Sequence, residues 1–215
     1  MYSELDVIVK SPRFPYYLIE LQAIWDTEKQ KRNAFYEQIT EQQKAEFIDG
    51  EIVLHSPARN LHILVSDRLN TLLFVFVENH ELGRTAHEKC LISLSRNDFE
   101  PDICFFGNEK AQKFKDGQMK HPAPDFVVEI LSNSTEHTDR TIKFTDYALH
   151  GVTEYWIIDA DKKTLEQYIL NGEDYELQCK ASNAIVESVA IKGFSLYIPA
   201  LFDQNEWRKE FNRCA

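Results

Sequence analysis

Acidic residues stand at the start and in the middle of short apolar segments of this chain. Asp102 follows Pro101 and precedes Ile-Cys-Phe-Phe, and Asp125 follows Pro124 and precedes Phe-Val-Val. Glu129 comes next, inside the second apolar segment. An unpaired carboxylate in an apolar core is strongly unfavourable, so such groups are normally paired with a cation or bound to a metal ion. These residues therefore indicate either buried ion pairs or a metal site.

The two apolar segments are predicted to be neighbouring buried strands. Strand alternation would place Asp125, Val127, Glu129 and Leu131 on one face, and Asp102 on the adjacent strand could then lie beside Glu129. Two such carboxylates form a pocket of hard oxygen ligands, which Mg²⁺ accepts together with water. Pairing with buried Arg or Lys remains the alternative. Asp125 is equally well explained as a residue that bonds the local backbone, so it is left out of the metal set.

The upstream segments have strong local patterns. An Asp-Gly pair between short apolar runs predicts a tight hairpin over residues 46–54, because a primed turn needs positive φ at its centre. Apolar residues at three- and four-residue steps predict a long, largely buried helix over residues 59–80. Residues 1–20 contain Pro12 and Pro15 and are predicted to form an irregular arm, followed by a solvated helix over residues 25–45.

Downstream, strands and a second helix follow one another. The Asn133/Glu136 spacing is typical of a capping box and predicts a helix that runs to about His150. Residues 107–122 are polar and Lys-rich and are predicted to be a surface loop or flap, and a short charged helix is expected around residues 203–213. Strands are predicted at residues 84–95, 102–106, 125–131, 154–159 and 164–170, with two further edge strands within 171–192.

This order indicates one α/β domain with a mixed β-sheet flanked by helices. The domain is assigned to residues 36–205, after an N-terminal arm and helix start at 1–35 and before a C-terminal tail at 206–215. The N-terminal residues show no secretion-signal pattern and no apolar run reaches membrane-spanning length, so a cytoplasmic protein with no membrane partner is expected. The four cysteines have no metal-knuckle or redox-pair spacing and are interpreted as buried small residues or bystanders.

The charge balance restricts the partners. The net charge is −11 and the isoelectric point about 5.1, which speaks against a broad, sequence-independent grip on nucleic acid. A local basic groove remains compatible with that charge, and bound metal cations would offset part of it.

Several motifs together resemble a known family. The motifs occur in this order along the chain, before the C-terminal helix: Glu-Phe-Ile-Asp-Gly-Glu-Ile, Pro-Asp-Ile-Cys-Phe-Phe, Ala-Pro-Asp-Phe-Val-Val-Glu-Ile-Leu-Ser-Asn-Ser-Thr and Gly-Val-Thr-Glu-Tyr-Trp-Ile-Ile-Asp. Over roughly residues 40–205 the chain resembles the Uma-two type of restriction endonucleases, part of the PD-(D/E)-x-K nuclease superfamily. The resemblance implies a restriction-endonuclease-like fold and Mg²⁺-dependent hydrolysis of DNA phosphodiester bonds, with Mn²⁺ as a substitute. Analogy with the superfamily also suggests a homodimer.

The resemblance also implies roles for individual residues. Asp102 would be the first metal ligand, Glu129 the acid of the second half-motif, and Glu46 a third carboxylate that completes the metal shell. Lys143 would polarise the scissile phosphate or orient the attacking water. The superfamily usually places this lysine two residues after the acid, where this chain has Leu131.

The lysine would therefore have moved to the following helix. Asp139, Lys143 and Tyr147 are spaced by four residues and share one helical face. His62 could also reach the site, although a packing or capping role is favoured. The lysines of the 107–122 segment are candidates for phosphate contacts, against a plain solvated surface: Lys113, Lys115 and Lys120.

Two other functions remain open. The acidic charge and the missing strand lysine would also fit a catalytically inactive nuclease fold that serves as an interaction module. A nuclease acting on RNA or on structured DNA is the other alternative, since no residue pattern separates these substrates.

Overall fold

The computed structural model of the protein describes residues 4–40 and 43–215. It has the predicted mixed α/β architecture. The helices are α1 (Glu4–Val9), α2 (Phe14–Gln38), α3 (Asn60–Asn79), α4 (Asn108–Ala111), α5 (Glu136–Arg140), α6 (Ile142–Leu149) and α7 (Gln204–Cys214), with a 3-10 turn at Ile198–Leu201. The strands are β1 (Ala45–Ile48), β2 (Glu51–Leu54), β3 (Gly83–His87), β4 (Leu91–Ser93), β5 (Asp98–Phe99), β6 (Ile103–Gly107), β7 (Lys120–His121), β8 (Phe126–Ile130), β9 (Glu154–Asp159), β10 (Thr164–Asn171), β11 (Asp174–Ala181), β12 (Ile185–Glu187) and β13 (Ser195–Tyr197).

The central sheet has six strands in the order β11-β10-β9-β8-β6-β3. Strands β8 and β9 are parallel, whereas β6 pairs antiparallel with both β8 and β3. Along β8, Phe126 and Val128 belong to the apolar cluster under α3, and Val127 belongs to the cluster under α6. The predicted alternation is thus confirmed, and Glu129 points to the α6 side.

Helix α3 is the core helix of one layer. Its length and apolar composition would also suit a membrane span, but Leu69, Leu72, Leu73 and Val77 are fully buried against the central sheet. The α3 pattern is therefore explained by packing inside the domain.

The predicted hairpin is formed by β1 and β2. Asp49 and Gly50 have φ values of 49° and 84°, as a primed two-residue turn requires. This hairpin belongs to a second sheet in the order β2-β1-β5-β4-β7. It places the start of β1 beside the strands that carry the acidic residues.

Some predictions about local structure are wrong. Two helices, Glu4–Val9 and the start of α2 at Phe14, replace the predicted irregular arm. Pro15 lies in the first turn of α2, where its missing N–H disrupts no helical hydrogen bond. Residues 84–95 form two strands in different sheets, because the chain turns at Glu88 with φ of 56°. The helix predicted to follow the Asn133/Glu136 capping box begins at Glu136, not directly after Asn133. It is also interrupted at Thr141, so that it forms two helices, α5 and α6.

The prediction for the C-terminal helix is confirmed by α7. Within the 107–122 segment, α4 and β7 add short regular elements to the predicted loop. Cys90, Cys104 and Cys214 are buried and Cys179 is half-buried, all as free thiols. The domain limits remain a prediction.

Candidate active site

The two acids of the predicted site lie side by side. Asp102 immediately precedes β6, and Glu129 lies in β8, its antiparallel neighbour. The backbone N–H of Ile130 donates to Asp102 Oδ2 at 2.8 Å. This bond fixes the Asp102 carboxylate next to β8, as the predicted juxtaposition required.

Asp102 is the centre of a first polar cluster. Its Oδ1 lies 2.8 Å from Lys44 Nζ and 3.3 Å from His62 Nε2, and Lys44 also contacts Glu88 Oε2 at 3.1 Å. Ligand atoms of His62, Glu88 and Asp102 all lie within 4.8 Å of one another, close enough to share a metal ion. The ammonium of Lys44 already contacts two of these three donors.

The sheet change at Glu88 creates this cluster. Glu88 has a left-handed backbone conformation, which is uncommon for a residue other than glycine, and the strand pairing of β3 ends just before it. Glu88 N donates to the carbonyl of Asp102 at 2.9 Å, which holds the two residues together. Strained backbone that serves a group of ionisable side chains is typical of functional sites.

Lys143 is the centre of a second, deeper cluster. Its side chain is 2% exposed, and Nζ lies 2.9 Å from Glu46, 3.0 Å from Glu129 and 3.3 Å from Asp139. Tyr147, on the same side of the helical segment, donates to Glu129 Oε1 at 3.3 Å. The predicted shared face is therefore confirmed, although α5 ends between Asp139 and Lys143.

Glu46 is held from several directions. The N–H of Glu100 donates to its Oε1 at 2.8 Å, and His55 Nε2 lies 2.9 Å from its Oε2. Burial disfavours its charged form, but the charge of Lys143 and the contact with His55 outweigh burial and lower the pKa of Glu46 to about 2. Glu46 is therefore ionised at neutral pH.

The other two acids have opposite pKa shifts. Burial disfavours the charged form of Asp102, but the contacts with His62 and Lys44 outweigh it and hold its pKa well below the usual range. Burial raises the pKa of Glu129 well above the usual value; Lys143 opposes this shift, and neighbouring carboxylates reinforce it. Two adjacent acids with separated pKa values are typical of catalytic sites.

The basic groups respond to the same carboxylates. Burial favours the neutral amine of Lys143, but the three surrounding acids outweigh it and raise its pKa well above the usual value. Burial likewise favours neutral His62, and Asp102 outweighs it, so the pKa of His62 is raised.

A polar cleft opens above both clusters. It has a volume of about 670 Å³, and its lining includes Asp102, Glu129 and Lys143 together with Lys44 and His62. The rest of its wall includes residues that follow β2, β3 and β8: Ser56, Arg59, Glu88, Lys89, Ser132 and Asn133. A space of this size accommodates a polar group such as a phosphodiester segment.

The remaining predicted residues lie elsewhere. Lys113, Lys115 and Lys120 are not among the described residues that line the cleft; Lys113 and Lys115 are exposed, and Lys120 lies over the Tyr36 ring at 4.0 Å. Their phosphate contacts stay a prediction. Asp125 accepts from Gly107 N at 2.7 Å and pairs with Lys110, which supports its structural interpretation.

Two residues of the Asp102 cluster were missed from the sequence. Lys44 immediately precedes β1 and lies two residues before Glu46, a spacing that in extended backbone puts both side chains on one face and could have indicated its place. Glu88 had no such signal, because its position depends on the chain leaving the sheet after β3. His62 reaches Asp102, where a packing or capping role had been favoured.

Comparisons with known proteins agree with this architecture. A sequence model of the Uma2 family, described as "Putative restriction endonuclease", matches residues 33–199. Among solved structures, the chain is similar to a crystal structure described as "a putative nuclease belonging to DUF820 from Anabaena variabilis ATCC 29413". The TM-score is 0.67 at 21% identity, over 80% of this chain and 96% of that chain. A search of curated proteins found no match.

At this identity the structural likeness shows the fold alone, and it confirms the predicted nuclease-like α/β architecture. The sequence match spans well over half of the chain and includes Glu46, Asp102, Glu129 and Lys143. The protein therefore belongs to the Uma2 family of restriction-endonuclease-like proteins.

Proposed function

We propose that the protein is a divalent-metal-dependent endonuclease that hydrolyses DNA phosphodiester bonds, with Asp102 as the central ligand. The observation that carries this proposal is the convergence of the Asp102 cluster and the Lys143 cluster on the floor of one polar cleft. Asp102, whose pKa is lowered, lines this cleft next to Glu129, whose pKa is raised. Such an arrangement is better explained by chemistry than by stability.

The donor atoms that fit a divalent cation are those of Asp102, His62 and Glu88, one nitrogen and two carboxylates within 4.8 Å. Among the described residues, Asp102 with Glu129 and Glu46 forms no such group, because Glu46 and Glu129 bond to Lys143. Carboxylates suit Mg²⁺ and Mn²⁺, and an imidazole ligand is more typical of transition metals, which favours Mn²⁺ for this site. A bound divalent ion would lower the pKa of a coordinated water and neutralise charge on the phosphate.

The two lysines have different environments and hence different roles. Lys143 is buried among three carboxylates, so it holds Glu46 and Glu129 in place and keeps the cluster near electrical balance. Lys44 has 21% of its side chain exposed and lines the cleft. We infer that Lys44 contributes the positive charge facing the phosphate, while Lys143 acts as a positioning residue.

Arg59 provides a further contact for a nucleic acid strand. It lines the cleft and pairs with Asp161 at 2.7 Å, with 59% and 57% of the two side chains exposed. Because an exposed ion pair contributes little to stability, Arg59 can exchange Asp161 for a phosphate at small cost. This local positive charge offsets the acidic character of the whole chain.

Cleavage of supercoiled plasmid DNA tests the proposal. The wild type is expected to nick the plasmid in Mg²⁺ or Mn²⁺ and to lose this activity in excess chelator. Asp102→Asn is expected to lower the rate at least ~100-fold, as removal of a group that acts in the transition state commonly does. Asp125→Asn is the matched control, because Asp125 also follows a proline but bonds outside the cleft.

Two results would contradict the proposal. An inactive wild type with either metal would favour a non-catalytic binding role for the cleft. Equal activity of Asp102→Asn and wild type would place the chemistry elsewhere. A single-stranded RNA of matched length, run in parallel, separates DNA from RNA as the substrate.

A further inference from the structure

A serine, a histidine and an aspartate meet away from the polar cleft. Ser95 lies in the turn between β4 and β5, His150 directly follows α6, and Asp146 lies one turn earlier in that helix. The lining of the cleft includes none of these three residues. Their contacts therefore form a second group of chemically reactive side chains, which the proposed nuclease activity does not use.

The contacts of His150 determine which of its ring nitrogens carries the proton. Nδ1 lies 2.7 Å from the carbonyl oxygen of Asp146 and 3.1 Å from Asp146 Oδ1. Both oxygens accept hydrogen bonds, so Nδ1 carries the proton and Nε2 of the neutral ring is an acceptor. Nε2 lies 3.0 Å from Ser95 Oγ and also accepts from the N–H of Ser95 at 3.1 Å. An aspartate, a histidine and a serine linked in this order activate the serine hydroxyl for nucleophilic attack.

The turn that carries Ser95 is held from two sides. The guanidinium of Arg32 donates at 2.8, 3.1 and 3.1 Å to three carbonyl oxygens of this turn, those of Leu94, Ser95 and Asn97. Asn97 Nδ2 donates to Asp146 Oδ2 at 2.8 Å, which ties the turn to α6. Because both elements are fixed, the hydroxyl and the imidazole stay in contact, as preorganisation of a nucleophile and its base requires.

The serine is open to solvent, whereas the groups behind it are more protected. Ser95 is exposed, but the His150 side chain is 23% exposed and the Asp146 side chain is 12% exposed. The backbone N–H of Arg96, the next residue, donates to no acceptor among the described residues. An N–H directly after a nucleophile can donate to the negative oxygen that forms during acyl transfer.

We propose that Ser95 is a nucleophile toward small activated esters, with His150 as its general base and Asp146 as a positioning residue. Ser95 Oγ attacks the carbonyl carbon while its proton passes to His150 Nε2. The ester C–O bond then breaks, and the leaving alcohol takes that proton. Water attacks the acyl-serine with Nε2 as base; the bond from the acyl carbon to Oγ breaks, and the proton returns to Ser95.

Labelling of the full chain with a fluorophosphonate, followed by peptide mass spectrometry, tests the proposal. The phosphorus bonds to Oγ and fluoride leaves, so we expect one label on Ser95 and none in Ser95→Ala. His150→Gln is expected to slow labelling at least ~100-fold, because a positioned general base contributes about that factor. Ser182→Ala is the matched control: Ser182 is also exposed between two strands, β11 and β12, and this variant is expected to label like the wild type.

Hydrolysis of p-nitrophenyl acetate in excess chelator measures the second half of the reaction. The wild type is expected to release about one equivalent of nitrophenol in a burst and then turn over slowly, and Ser95→Ala is expected to show no burst. A wild type that takes no label, or takes it on another residue, overturns the proposal, as does equal labelling of His150→Gln and wild type. The site of the label in the wild type decides the proposal even where a variant folds poorly, and the chelator separates this activity from the nuclease.

Discussion

Replacing Lys143 by Met should destabilise the protein strongly, because it leaves three buried carboxylates without their shared cation. The ammonium lies 2.9 Å from Glu46, 3.0 Å from Glu129 and 3.3 Å from Asp139, with each of these side chains at most 4% exposed. Removing one partner of a buried ion pair typically costs about 3–5 kcal/mol, and Met retains most of the lysine volume, so the loss is electrostatic. For a chain of this size that loss corresponds to a decrease in Tm of about 6–20 °C.

Urea unfolding followed by tryptophan fluorescence measures this effect, since Trp156 is fully buried in the core. Lys162→Met is the control for loss of an ion pair at the surface. Lys162 is 72% exposed and pairs with Asp159, so its replacement should cost less than about 1 kcal/mol.

The pH dependence follows from the pKa of Glu46, which is lowered from 4.5 to about 2. A lowered pKa in the folded state contributes stability that is present above pH 4.5 and is lost as the pH falls toward 2. The difference between wild type and Lys143→Met should therefore shrink over that interval. A loss below about 1 kcal/mol at neutral pH would refute the argument that Lys143 balances the buried acids.

Three further predictions concern the parts that hold the cleft in place. Arg32→Ala should lower the free energy of unfolding by about 3 kcal/mol, because Asp98 is fully buried; chemical unfolding that shows no loss contradicts this. Arg140 helps to lower the pKa of Glu166 to about 2. The difference in unfolding free energy between wild type and Glu166→Gln should therefore be greatest above pH 4.5 and vanish toward pH 2, as parallel urea titrations would measure. Gly50→Ala should cost about 1 kcal/mol or more, since φ is +84° and Glu28 would approach the new Cβ to 3.2 Å; an unchanged Tm would argue against this turn.

Much of the fold could be predicted because the local signals agreed with the packing. The Asp-Gly pair at 49–50 predicted the hairpin, since few other residue pairs adopt positive φ angles at two successive positions. The alternation along β8 placed Glu129 on the face opposite Phe126, and the adjacent strand brought Asp102 beside it. These are properties of a few neighbouring residues.

The missed features depend on contacts between distant segments. Helix α2 begins at Phe14 with Pro15 in its first turn, and tertiary contacts at Arg32 and Phe35 anchor its other end, which the sequence of residues 1–20 does not reveal. The Asp102 cluster needs β1, α3 and the turn at Glu88 to meet, from positions 44, 62, 88 and 102. Sequence patterns also could not show that Lys143 is buried while Lys44 faces the cleft.

Binding of Mn²⁺ to the full chain, followed by electron paramagnetic resonance, tests most directly whether Asp102 organises a metal-dependent site. We expect the wild type to bind Mn²⁺, Asp125→Asn to bind it equally well and Asp102→Asn to lose the binding. Loss in His62→Ala would assign the site to the cluster with Glu88, and retention would assign it to the carboxylates alone. A wild type that takes up no Mn²⁺, or an Asp102→Asn variant that binds it as tightly as the wild type, would refute a metal site organised by Asp102.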